Sequence, residues 1–334
     1  MTRGGPRPDD LLARPGADEG WSVAAALVRT QDASVRAATP AAGPSWWFDL
    51  ASLTKVFVAV AALRLVDDGL LDLDAPVREH LDVGAVCGGA TTRHLLTHTS
   101  GLRATSSVWR STDDAGAVLD DVVERPPLEA PGDVHRYSCL GFVVLGRLLE
   151  VISGTPLDRL VATRVAGLLG AHDLRWGSAP IDRTAPTEPG TPRGRVHDEL
   201  AAATRRPVGN AGLFGTLDDV ARLAQMVAGR GAVDGRQVVS EERWRELVVP
   251  DPAAQQAGAP YGQALALRRG DLAVTVSDAQ VGHTGFTGTS FVVDLESGAH
   301  AVLLTNRVHG GRATSVDARR RALAGRLVPE RHGG

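Results

Sequence analysis

The placement of β-prone runs at the two ends of the chain, with a long helix-rich stretch between them, constrains the fold more than any other feature of the sequence. Near the start, WSVAAALV (21–28) and ASVRAAT (33–39) flank a turn-prone segment at 29–32 and read as a hairpin. Near the end, YGQALALR (261–268), LAVTVS (272–277), TGTSFVVD (287–294) and HAVLLTNR (300–307) are rich in β-formers and are joined by short turns such as Glu296, Ser297 and Gly298. That is the pattern of an antiparallel meander. Residues 71–204 read as mostly helical, with many Pro and Gly breaks. Strands at both ends around helices predict an α+β fold: one antiparallel sheet flanked by helices and built from both chain ends, plus a mostly helical insertion. The expected boundaries are a flexible N-terminal arm at 1–20, a discontinuous sheet domain at 21–70 and 205–330, and a helical domain at 71–204. The chain shows no internal repeat, and its 334 residues are ample for a large core.

Four helices stand out. In 52 to about 69, Val56, Val60, Leu63 and Val66 or Leu70 recur at helical spacing and Gly69 is a stop signal. The clearest helix covers 140–152 and ends at Ser153 and Gly154. Thr216 with Asp219 at the third helical position opens a helix that runs to about Gly229. A last helix, about 313–327, closes the chain.

The 52–69 helix carries the only lysine of the protein. Of 36 Lys and Arg residues, all but Lys55 are arginine. Arginine keeps its proton at any relevant pH, whereas a desolvated lysine can lose one. A lysine needed for its neutral amine is the one that arginine cannot replace. Ser52 stands three residues earlier, so both side chains share one face of the helix. The unpaired N–H groups and positive potential of the helix start disfavour the ammonium and stabilise an alkoxide. Serine beside an amine whose pKa falls from about 10.4 toward neutral is an activated nucleophile. Taken alone, the pair also fits a surface lysine whose stem snorkels.

The remaining composition narrows the classes. A net charge of −3 excludes a general nucleic-acid binder. Two cysteines, Cys87 and Cys139, form neither a disulfide framework nor a metal-site spacing and fit a reducing compartment. The first 21 residues hold no apolar core of the signal-peptide kind. The longest apolar run, VFVAVAALRLV, contains an arginine and is too short to cross a bilayer. The cytoplasm is therefore the default location, with no membrane partner.

Three further stretches bear on the serine. Tyr137, Ser138 and Cys139 precede the 140–152 helix, and a phenol near a lysine can relay protons, though a tyrosine there also serves packing. VGHTGFTGT (281–289) sets glycines around His283 and Thr284, which lets a substrate lie close to the strand. HLLTHTSGL (94–102) reads by itself as a structural turn. His94 and His98 have the i, i+4 spacing of a zinc pair but lack the glutamate of H-E-x-x-H, so no metal and no cofactor is expected.

Together these stretches resemble the serine β-lactamase and penicillin-binding-protein superfamily, specifically its class C β-lactamase-like esterases and DD-peptidases. Ser52-Leu-Thr-Lys55 resembles S-x-x-K, Tyr137-Ser-Cys139 resembles Y-x-N, and His283-Thr-Gly285 resembles the K/H-T-G strand. LLTHTSGL, VHDE (196–199) and NAGLFGTLDDVARLAQM (210–226) resemble passages common in that group, and the likeness covers about residues 22–325. It implies an α/β sandwich, a largely helical second domain and a site in the cleft between them. It also implies roles. Ser52 attacks a carbonyl and becomes acylated. Lys55 and Tyr137 share the general-base work. The N–H groups of Ser52 and Phe286 form an oxyanion hole. Cys139, His283, Thr284 and Gly285 hold the substrate, with His283 titrating near 6.5 or completing the proton network.

One position departs from the pattern. Cys139 stands where relatives have an Asn that holds the substrate's amide, and a thiol is a weak donor and acceptor. That leans the expectation toward small esters or amides rather than efficient β-lactam or peptide turnover. The sequence thus predicts a serine acyl hydrolase. The alternatives are an acyltransferase or amide synthase using the same acyl-enzyme, and a non-catalytic ligand-binding relative.

Overall fold

The computed structural model describes residues 8–328 except 13–15, 17, 41, 44, 87, 178 and 272. Cys87, Leu272 and much of the expected arm therefore lie outside the described residues.

The chain ends meet in one seven-stranded sheet. Strands β1 (Ala24–Arg29) and β2 (Ser34–Ala38) form the expected hairpin. Strands β3 (Gly262–Gln263), β4 (Arg268–Arg269), β5 (Gln280–Thr284), β6 (Ser290–Asp294) and β7 (His300–Thr305) form the meander. The order across the sheet is β2-β1-β7-β6-β5-β4-β3, with β1 antiparallel to β7 in the register Ala24 opposite Thr305. The central strands are buried on both faces. Ala25, Leu27, Phe291, Val293, Val302 and Leu304 enter one core, while their neighbours Ala24, Ala26, Val28, Val292, Ala301 and Leu303 enter another. This alternation is the two-residue period of a strand with helices on either side. Helix α3 (Leu217–Ala228) packs on the first face, and helix α4 (Asp317–Gly325) joins the second core through Leu323 and Ala324.

The run expected as a strand at 272–277 carries turn and bend and no strand over its described residues, 273–277. The Asp271 carboxylate accepts the N–H of Ala273 and pairs with Arg268, and its carbonyl accepts the Thr275 hydroxyl at 2.9 Å. These local bonds turn the chain in place of a ladder.

Helix α1 (Thr54–Asp67) follows a short 3₁₀ turn at Ala51–Leu53, so Ser52 lies in that turn rather than at the helix start. The helix is not one-faced, as the spacing of Val56, Val60 and Leu63 predicts. Every residue from Thr54 to Leu63 is buried, because the sheet side and the helical segment enclose it together. Helix α2 (Cys139–Ser153) ends at Gly154, whose φ of 64° is the left-handed closure that glycine adopts without strain. Thr216 and Asp219 make the expected capping box at the start of α3.

The middle segment is helical as expected but carries one strand, Arg175–Trp176. It pairs with Leu213–Gly215, which pairs with Phe48–Asp49. This small sheet ties the middle segment to the turn that carries Ser52. Among the described residues no single helix is long and apolar enough to cross a membrane.

Candidate active site

The Ser52 turn is held from beneath by a buried carboxylate. Asp49 accepts the Ala51 N–H at 2.8 Å and the His197 N–H at 2.7 Å. Burial pushes its pKa upward, against the pull of those two backbone donors. Ala51 has φ of 46°, a left-handed conformation that a residue with a Cβ adopts only under constraint. The strain lifts the next residue, Ser52, to the floor of a cleft.

Two threonines staple the far side of this turn. Thr287 donates to the Asp49 carbonyl at 2.7 Å, and Thr289 donates to the Leu50 carbonyl at 3.0 Å. Buried Arg320 donates to the carbonyls of Gly285 and Thr289 at 3.0 and 3.1 Å. Gly285 is pressed against the serine turn, since a Cβ on it would stand 2.6 Å from the Leu50 carbonyl oxygen. The end of β5 is thereby locked beside Ser52. Neither the Ser52 nor the Phe286 amide N–H donates to a protein acceptor among the described residues. The Phe286 ring stacks on His197 with centroids 5.7 Å apart and lies under the Arg307 guanidinium at 4.6 Å, which holds a 46% exposed aromatic in place.

Lys55 is fully buried one turn along. Its Nζ donates to Ser52 Oγ at 3.1 Å, to the Asn210 carbonyl at 2.9 Å and to Cys139 Sγ at 3.5 Å. Asn210 is itself fixed by a 3.3 Å bond from its amide to Asp198, the N-cap of the short helix Glu199–Ala203. Burial is the largest influence on the lysine and opposes its ammonium. The negative forms of Cys139 and then Tyr137, followed by Asp198, favour it, and the pKa moves up from its ordinary value. The amine is therefore not driven toward neutrality as the sequence reading expects: its acidic neighbours outweigh the desolvation.

Tyr137 completes the cluster. Its segment is zipped to the HLLTHTSGL turn: Arg136 N–H donates to the His98 carbonyl at 2.8 Å, and Ser138 N–H donates to His98 Nδ1 at 3.1 Å. The phenol ring lies 5.1 Å from Lys55 Nζ, 4.8 Å from the Arg268 guanidinium and 4.4 Å from the His98 ring. Tyr137 Oη is near enough to Lys55 to favour its ammonium but bonds to no protein atom.

His283 does not hold substrate directly. It is fully buried, its ring 6.4 Å from that of Tyr137, and both ring nitrogens lack a protein partner. Burial first, then the charges of Arg268 and Lys55, push its pKa well below the ordinary histidine value, so it does not titrate near 6.5. Its strand neighbour Thr284 faces the other way and lines the cleft.

The cleft has a volume of about 420 Å³, and its walls include Ser52, Tyr137, Arg268, Thr284, Phe286 and Arg307. It brings together the serine, the phenol and the two free N–H groups. Cys139 sits behind them, against the lysine. His94 caps the helix Thr92–Leu96 through Thr91 while His98 packs on Tyr137, so the two histidines of H-x-x-x-H serve different neighbours. Sequence reasoning missed Asp49, His98, Asn210 and Arg268. The NAGLFG and HTSG passages mark two of these positions, but only the fold shows what they touch.

Comparison with known proteins gives the family. A family model described as Beta-lactamase matches residues 10–326. The chain is 33% identical to esterase EstB of Burkholderia gladioli over 79% of this chain and 78% of that protein. It is 29% identical to an Escherichia coli O157:H7 protein named, provisionally, as a D-alanyl-D-alanine carboxypeptidase, over 83% of this chain and 73% of that one. Among solved structures it superposes on EstCE1, a hydrolase with promiscuous acyltransferase activity, with a TM-score of 0.72. That match has 22% identity and covers 91% of this chain and 94% of the other.

Proposed function

This chain belongs to the β-lactamase family, and from that premise we propose that it is an esterase-like serine acyl hydrolase acting on small esters or amides through a Ser52 acyl-enzyme. The observation that carries the reading is the 3.1 Å contact between Ser52 Oγ and the Nζ of a fully buried Lys55, at the floor of an open cleft.

Ser52 Oγ attacks the acyl carbon. Lys55, held as an ammonium by its neighbours, donates to that oxygen and steadies the charge as the hydroxyl proton leaves. Neither an ammonium nor a neutral phenol can take a proton, so the acceptor in this scheme is the phenolate form of Tyr137, which faces the same cleft with the cations of Lys55 and Arg268 beside its ring. The Ser52 and Phe286 N–H groups receive the oxyanion, a contribution of about 3 kcal/mol per donor. Tyr137 passes that proton to the departing alcohol or amine; it then takes one from water as water attacks the acyl-enzyme and returns it to Ser52 Oγ as the acid leaves. The EstB name favours ester over peptide substrates, and Cys139 in contact with the lysine offers a poor grip on a peptide amide.

A fluorophosphonate probe tests the reading. Wild type is expected to be labelled, with Ser52→Ala unlabelled. Lys55→Arg, which keeps the charge but not the fit, is expected to be labelled at least about a hundredfold more slowly. Equal labelling of wild type and Ser52→Ala rejects the proposal.

A further inference from the structure

A second cavity of about 570 Å³, larger than the Ser52 cleft, opens on the other side of the segment that carries Asn210. Ala211 and Gly212 stand in its wall; Ser52, Lys55 and Tyr137 do not. Four arginines surround it: Arg193, Arg195, Arg205 and Arg206. Some exposed arginines of the molecule pair with carboxylates, as Arg312 does with Glu188 and Glu199, and others, such as Arg78, stand alone among the described residues; what marks this cavity is four guanidiniums around one hollow. Here only Arg206 is paired, with Glu150 at 2.7 Å, and the other three have no carboxylate partner among the described residues. Asp158 is the one acid in the lining. Arg205 is held at a φ of 52°, a constrained conformation for a residue with a side chain. The lining also has apolar members. Trp176 is fixed by a 3.2 Å bond from its indole N–H to the Ala211 carbonyl, and Ile181 is 68% exposed.

We propose that this cavity binds a small molecule that joins a phosphoryl group to a flat apolar group. Discounting Asp158, and Glu150 on Arg206, the four guanidiniums leave about two positive charges uncompensated. A carboxylate carries one negative charge, whereas a phosphate monoester carries about 1.5 to 2 at neutral pH and offers three acceptor oxygens to forked donors. The indole and Ile181 give the apolar end a surface to leave water for. The site is separate from the acyl cleft and does not depend on the chemistry assigned to Ser52.

Calorimetric titration of the full chain with 1-naphthyl phosphate, 1-naphthol and inorganic phosphate tests it. The naphthyl phosphate is expected to saturate one site at least about tenfold more tightly than either fragment. Arg193→Gln with Arg205→Gln should weaken it by more than about tenfold, while Arg78→Gln, an exposed arginine outside this lining, leaves it unchanged. Asp158→Asn should tighten it. Binding should survive covalent blocking of Ser52 by a fluorophosphonate. Absence of saturable binding, equal affinity in the double variant, or loss of binding on blocking Ser52 would overturn the proposal. Inorganic phosphate binding as tightly as the naphthyl ester would remove its apolar half.

Discussion

The two sides of the Ser52 cleft are built on opposite rules. On the strand side most of the named polar groups are satisfied: Thr287 and Thr289 donate to the carbonyls of Asp49 and Leu50, Asp49 takes two backbone N–H groups, and Arg320 spans two carbonyls, with only its Nε unpartnered. On the Tyr137 side, Tyr137 Oη, His98 Nε2, Arg268 Nε and both nitrogens of His283 are buried without a protein partner. A buried polar group costs the fold about 1–3 kcal/mol where neither protein nor water satisfies it. Satisfied bonds fix a position, and unsatisfied ones leave a proton free to move. The first side aims the nucleophile and the second handles its proton.

The strongest challenge to that division is Tyr137→Phe. It keeps the ring and its contacts with His98 and Arg268 and removes only an uncommitted oxygen. Ester hydrolysis should fall by about 10²–10⁴-fold while the thermal midpoint stays level or rises. A midpoint drop as large as that of a core truncation would show the oxygen to be structural.

Gly285→Ala should damage both sides at once. The new Cβ would lie 2.1 Å from Thr289 Oγ1 and 2.6 Å from the Leu50 carbonyl oxygen, so strand and serine turn must part. We expect a loss of roughly 1–3 kcal/mol in urea unfolding together with at least about a tenfold fall in kcat. Stability falling alone would separate Phe286 from the oxyanion role.

Thr289→Val is the converse of the tyrosine variant. It removes the 3.0 Å bond to the Leu50 carbonyl and nothing in the proton path. The urea midpoint should report a loss of about 1–2 kcal/mol, with kcat/KM changed by less than about tenfold.

The smallest effect is on acid stability. His98 and His283 are held well below the ordinary histidine pKa, chiefly by burial. Below about pH 6.5 the unfolded chain binds their protons and the native protein does not, so stability falls as pH falls. Each contributes a slope of up to about 1.4 kcal/mol per pH unit in that window. Thermal midpoints between pH 7 and 5 should decline less steeply in His283→Gln; parallel curves would mean that His283 is already protonated in the native state.

Much of this was legible before any coordinates. A lone lysine three residues after a serine and one of only two tyrosines ahead of a helix drew attention to Ser52, Lys55 and Tyr137 because their residue types are rare here. The paired chain ends were legible because β-branched runs alternate with turns. Asp49 was not, since its partners include a backbone N–H 148 residues away. Asn210 acts through a main-chain carbonyl, which leaves no mark on residue type. His98 looked structural, and it is: its Nδ1 positions Ser138, while its other face meets Tyr137. The short strand Arg175–Trp176 was hidden because two residues carry no period. The turn at 273–277, where a strand was expected, shows how an aspartate overrides β-forming neighbours.

The pairing of the first strand with the last has a consequence for synthesis. The Asn306 side chain closes on the Val23 N–H across 283 positions of sequence. A nascent chain holds the β1–β2 hairpin and the nucleophile early but lacks the second neighbour of β1 until β7, which follows the whole helical segment, has been made. Contacts that distant slow folding, and a strand with one open edge invites pairing with other chains in the meantime. A circular permutant that links residue 328 to residue 8 and opens at an exposed loop would bring β1 and β7 closer in sequence, and it should speed refolding without touching a single group of the cleft.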